Sequence, residues 1–151
     1  MRPVRVAALV CLPICLASLG SLGCAASNRA PEFIAPTSGP PRPFSPAVRA
    51  NGFLFLSGQI GTDSTGQIVA GGTQAQTRQA MSNVRDVLRR AGSSLDHVVK
   101  CTVFMADMSE WGAMNEVYIT FFPQRPPARS AAGANGLALG ARVEIECIAA
   151  E

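Results

Sequence analysis

In the stretch Arg142-Val143-Glu144-Ile145-Glu146-Cys147-Ile148-Ala149, the first six residues alternate polar and apolar side chains with a period of two. Successive side chains of a strand point to opposite faces, so Val143, Ile145 and Cys147 line one side while Glu144 and Glu146 line the other. A strand with one apolar and one acidic face belongs in a sheet whose two sides have different neighbours. Residues 98–105 repeat the pattern: Val99, Cys101, Val103 and Met105 share a face, with Lys100 and Thr102 opposite.

Two helical patterns supply the apolar neighbour. Met81, Val84, Leu88 and Ala91 recur at intervals of three and four, a single helical stripe, with Arg78, Arg85 and Arg89 off it as a solvated face. Thr73 and Gln76 have capping-box spacing at the start of this helix, and Gly92 ends it. Asp107 with Glu110 opens a second helix, whose stripe is Trp111, Met114, Tyr118 and Phe121 and whose stop is Pro123. Before the first helix, Asn51-Gly52 marks a hairpin turn between a strand at 47–49 and the run Phe53-Leu54-Phe55-Leu56. That continuous apolar run predicts a strand covered on both faces. Residues 67–70 are expected to form another strand, and 129–132 a further one. The order β-β-β-α-β-α-β-β predicts an α+β fold, a mixed sheet with two helices on one face. The other face carries Thr102, Glu144 and Glu146 and needs a partner or a use.

Residues 1–5 are short and basic, and 6–22 are apolar with Pro13 inside. This is short for a membrane span and long enough for the apolar region of a signal peptide. The segment ends Ser21-Leu22-Gly23-Cys24-Ala25, which resembles a bacterial lipoprotein signal, although Ser21 stands where Leu is usual. Cys24 would then be the lipidated N-terminus and the only membrane contact, placing the protein outside the cytoplasm in the periplasm or envelope. The expected organisation is a signal peptide at 1–23, a Pro-rich linker at 24–43 and one domain at 44–151. Cys11 and Cys15 leave with the signal. Cys101 and Cys147 remain in core strands, as buried thiols or, in an oxidising compartment, as a disulfide. His97 is the single histidine, and no C-x-x-C is present, so a metal site is not expected. The formal charge is +3, and setting Arg2 and Arg5 aside leaves 11 basic against 10 acidic residues. Near-neutrality supplies no long-range field for nucleic acid.

Four stretches carry chemistry: Ser57-Gly58-Gln59-Ile60-Gly61, Asn115-Glu116-Val117-Tyr118, Pro127-Ala128-Arg129-Ser130, and the closing strand with Glu144. Together with Arg42-Pro43-Phe44-Ser45, their order and spacing resemble the RidA family, also called YjgF, over essentially all of residues 42–151. The resemblance implies a chorismate-mutase-like homotrimer with active sites between subunits. It also implies hydrolysis of 2-imino acids (2-iminobutanoate and 2-iminopropanoate) to 2-keto acids and ammonia without metal or organic cofactor. Arg129 would grip the substrate carboxylate through two parallel hydrogen bonds, and Glu144 would orient and deprotonate water. Phe44, Ser57, Gly58, Asn115, Ser130 and Ala131 would line the substrate site. Phe44 stands where many relatives have Tyr, and Ala131 where many have Cys. Two alternatives stay open. Arg129 could form a structural ion pair with Glu144 or Glu146, and Glu146 could be the working carboxylate. A different class of function, a non-catalytic trimeric module that binds small carboxylates or partners in the envelope, would need only the clamp.

Overall fold

The computed structural model describes residues 30–36 and 43–151. The signal segment, Cys24 and most of the expected linker lie outside the described residues. Within them the chain forms β1 (Glu32–Ile34), β2 (Ala47–Ala50), β3 (Phe53–Leu56), β4 (Gln59–Ile60), α1 (Gly72–Arg90), β5 (Val98–Met105), α2 (Trp111–Tyr118), β6 (Ala128–Gly133) and β7 (Val143–Ala150). They build one mixed seven-stranded sheet in the order β1-β2-β3-β7-β5-β6, with β4 also pairing β7. Only β5 and β6 run parallel, joined across α2; the other pairs are antiparallel. The mixed sheet with two helices is the architecture the sequence predicts.

The core lies between the helices and one sheet face. Leu54, Met81, Val84, Leu88, Met105, Met114, Val143 and Ile145 are fully buried there. Truncating any of the larger ones to Ala should cost about 2–5 kcal/mol, because the removed contacts leave a cavity that the neighbours only partly fill. The predicted α1 stripe is buried, and Arg78, Arg85 and Arg89 are exposed.

Several local expectations are corrected. Thr73 and Gln76 do not form a capping box. Gly71 caps α1 without a side-chain bond. Instead, the Thr73 hydroxyl donates to Glu110, and the Gln76 side-chain carbonyl accepts from the Arg142 backbone N–H at 2.8 Å. Tertiary partners thus outcompete the local cap. Residues 67–70 form only an isolated bridge, Thr62 with Ile68. In β3, Leu54 and Leu56 are buried while Phe53 and Phe55 are 42% and 44% exposed, so the run is covered on one face. A register shift between Val98 and Lys100 puts Val98 in the core and turns Val99 outward. β1 arises from the segment expected to be linker. Glu32 bonds Arg49, which also donates to Glu151 at 2.6 Å and to the Ala91 carbonyl, tying the edge strand to the C-terminus and the end of α1.

Cys101 and Cys147 are directly cross-strand in β5 and β7 and form a disulfide inside the core, 46 residues apart in sequence. The reading as two free thiols is thereby set aside.

Candidate active site

The corner after β3 is fixed by its own side chains. The Ser57 hydroxyl donates to the Ser45 carbonyl at 2.7 Å, and the Ser57 N–H donates to the Pro46 carbonyl. Gln59 folds back so that its amide donates to the carbonyls of Ser57 and Gly58 at 2.9 and 3.1 Å. Ser57 and Gln59 therefore hold the backbone at Gly58. A Cβ at Gly58 would lie 2.7 Å from Glu144 Cδ and 3.0 Å from its Cγ. Only Gly leaves room for the carboxylate, which lodges against this corner.

Glu144 lies on the face of β7 away from the helices, in register with Ile60 and Phe104. It is half-buried, and no hydrogen bond or ion pair is formed to its carboxylate among the described residues. Glu146, two residues on, shares that face and is exposed.

Arg129 lies on the opposite, helix-covered face. It is in register with Cys101, which is in register with Cys147, both buried core residues. Its guanidinium sits over the Tyr118 ring at 4.6 Å and over the Trp111 ring at 5.6 Å. Such contacts are worth about 0.5–2 kcal/mol, the upper end applying where water is excluded. No carboxylate among the described residues pairs with Arg129. The structural ion pair with Glu144 or Glu146 is absent from the subunit, and strand parity is the reason: the partners stand on different sides of one sheet.

The other predicted residues divide between the two faces. Asn115 follows Trp111 by four and precedes Tyr118 by three, placing it on the same stripe of α2 as the rings. Ala131 shares the face of Arg129 and packs partly against the core. Ser130 points the other way and accepts from Lys100 Nζ at 2.7 Å. Phe44 is 52% exposed. It borders a surface cleft of about 210 Å³ with Gln59, Asp63, Asn83 and Asp86, which neither Arg129 nor Glu144 lines. That cleft contains neither Arg129 nor Glu144, and the candidate chemistry lies at those two side chains.

The aromatic contacts of Arg129 are not legible in the sequence. Trp111 was expected in the apolar stripe with Met114 and Tyr118, but it is 40% exposed and faces Arg129. Tyr118 is buried, and burial pushes its phenol up to about 12, with the Arg129 charge opposing. Its hydroxyl has no hydrogen-bond partner among the described residues. His97 is exposed, with its Nδ1 3.3 Å from the Ser93 hydroxyl.

Known proteins resemble this chain in sequence and in fold. A family model described as Endoribonuclease L-PSP matches residues 36–151. The mouse 2-iminobutanoate/2-iminopropanoate deaminase is 44% identical over 110 residues, covering 72% of this chain and 82% of the mouse protein. Among solved structures, yeast Mmf1 superposes with a TM-score of 0.75 at 35% identity, covering 81% of this chain and 99% of that one. Escherichia coli TdcF with bound serine gives 0.73 at 32% identity, covering 80% and 98%. The match over three quarters of the chain, in sequence and in fold, establishes that this protein belongs to the Endoribonuclease L-PSP family, the RidA/YjgF family of its deaminase relatives.

Proposed function

We propose that this protein hydrolyses 2-imino acids to 2-keto acids and ammonia, with Arg129 binding the substrate carboxylate and Glu144 activating water. The observation that carries the reading is a pair of uncompensated charges. The Arg129 guanidinium is held by ring faces, so its in-plane N–H donors remain available for a carboxylate. The Glu144 carboxylate rests against Gly58 with its oxygens unspent. Water would add to the C=N carbon as Glu144 takes its proton. Glu144 would hand that proton to the carbinolamine nitrogen and take up the hydroxyl proton as the C–N bond breaks, releasing ammonia and the 2-keto acid. The deaminase names of the relatives, and the amino acid bound by TdcF, support a small carboxylate ligand.

Because Arg129 and Glu144 lie on opposite faces of one sheet, a substrate touching both requires two copies. A homotrimer with Arg129 of one subunit facing Glu144 of the next meets that requirement. It would also cover Phe53 and Phe55, which stand uncovered in the single chain. A nuclease reading has less support, since the same face presents Glu144 and Glu146 and the chain carries almost no net charge outside residues 1–5.

The test is disappearance of 2-imino acids generated by an amino-acid oxidase and followed by semicarbazide trapping. Acceleration should vanish in Arg129→Ala. Glu144→Gln should keep ligand binding while losing 10²-fold or more in rate, on the order expected for a general base. Wild-type protein that binds 2-keto acids without accelerating hydrolysis would favour the carboxylate-binding module.

The same reading includes export and lipidation at Cys24. The Cys101–Cys147 disulfide supports an oxidising compartment. Labelled fatty acid should attach to the full-length chain and not to Cys24→Ser; equal labelling of both refutes lipidation there.

A further inference from the structure

We propose that Trp111 and Tyr118 are positioning residues for the carboxylate clamp, fixing the orientation of the Arg129 guanidinium through their ring faces. The inference rests on the reading of Arg129 as the clamp and goes beyond it by assigning what aims it.

An arginine on the edge strand β6 has a long side chain with many rotamers, and a bidentate grip needs one of them. Proteins usually fix such a group with carboxylates or carbonyls, but each of those uses N–H donors that the substrate needs. Ring faces attract the cation without using any donor. Among the described residues Arg129 has that kind of support and no carboxylate partner: Tyr118 at 4.6 Å and Trp111 at 5.6 Å.

The two rings differ in burial. Tyr118 is buried and packs against Phe122 with ring centres 5.2 Å apart, so it is the fixed half. Trp111 is 40% exposed and is the first residue of α2. That start is anchored from two sides. The preceding residue, Glu110, accepts from Thr73 of α1 and from Arg142 Nη1, the latter at 2.6 Å, next to the start of β7. Asp107 accepts from the Ser109 N–H at 2.8 Å and fixes the turn leading in. The chain that carries Glu144 and the ring that steadies Arg129 are therefore braced through one carboxylate.

Trp111 is the single tryptophan of the chain, which makes the idea directly readable. Titrating the full-length protein with pyruvate should change its fluorescence saturably, and the change should be absent in Arg129→Ala. Trp111→Leu, which keeps apolar bulk and removes the ring, should raise KM for 2-iminopropanoate and the inhibition constant of pyruvate about tenfold together. Its kcat should fall less than threefold, and its melting temperature should stay near that of the wild type. Trp111→Phe should recover KM to within about threefold. A Trp111→Leu enzyme with wild-type KM and pyruvate inhibition overturns the positioning role. So does a loss that Phe does not restore. Retention of activity in Arg129→Ala would instead overturn the clamp itself, so the two failures are distinguishable. If Trp111→Leu does not fold, the pair Tyr118→Phe and Tyr118→Leu makes the same comparison, with equal KM in both contradicting the proposal.

Discussion

Reducing the Cys101–Cys147 bond should destabilise the domain by an amount that follows from its place in the chain. The bridge joins positions 46 residues apart. Closing a loop of that size removes about 13 cal/mol/K from the unfolded chain, or about 4 kcal/mol at 25 °C. Both sulfurs sit in the core, with Cys101 0% and Cys147 2% exposed, so the native fold shields the bond from reductant. The comparison therefore uses one protein, unfolded in urea and refolded with or without dithiothreitol, which avoids the cavity that a Cys→Ala change would add. With a urea dependence of about 2 kcal/mol/M for a domain of this size, the midpoint should drop by roughly 2 M on reduction. A thiol titration of the unreduced, unfolded chain should find neither Cys101 nor Cys147. Coincident urea curves for the two forms, or two free thiols from these positions, would refute the reasoning.

Gly58→Ala should leave the domain folded at a cost of about 1–3 kcal/mol. It should lower imine hydrolysis at least tenfold, because the new methyl group overlaps the Glu144 carboxylate; urea unfolding and the semicarbazide assay check the two parts. Glu110 is held below the ordinary carboxylate range by the Thr73 hydroxyl and by Arg142. A carboxylate depressed in the folded state contributes stability above its unfolded value of about 4.3, and that contribution is lost as pH falls through the folded value. Melting temperature should therefore decline below about pH 4 in the wild type and less steeply in Glu110→Gln; parallel acid limbs would show that Glu110 is not part of the linkage.

The secondary structure was legible wherever a local period decided it. The closing strand, the apolar stripe of α1 and the Asn51-Gly52 turn, whose φ values are 50° and 78°, follow from residues within a few positions of one another. Legibility failed where a distant partner changed a local preference. Thr73 looks like a cap and instead donates to Glu110, 37 residues away. Phe53 and Phe55 look like core and instead lie on a face that the single chain leaves uncovered, because a continuous apolar run does not say whether the same subunit closes both sides of the sheet. Glu32, Phe33 and Ile34 look like linker and instead pair with β2, since an edge strand is held by backbone bonds and needs no apolar period.

Sequence alone determined the composition of the candidate site: one guanidinium, one carboxylate, a glycine corner and the strands that carry them. Alternation along β7 also determined that Glu144 opposes Ile145 and Cys147. Only the tertiary structure decided that Arg129 stands on the opposite side of the sheet from Glu144, that its guanidinium lies over the Trp111 and Tyr118 rings, and that Cys101 meets Cys147. The physical reason is that a period of two sorts side chains within one strand, whereas the face shared between strands depends on register. Register is set by the hydrogen-bonded ladders of β5 with β6 and β7, and by the helices packed against them.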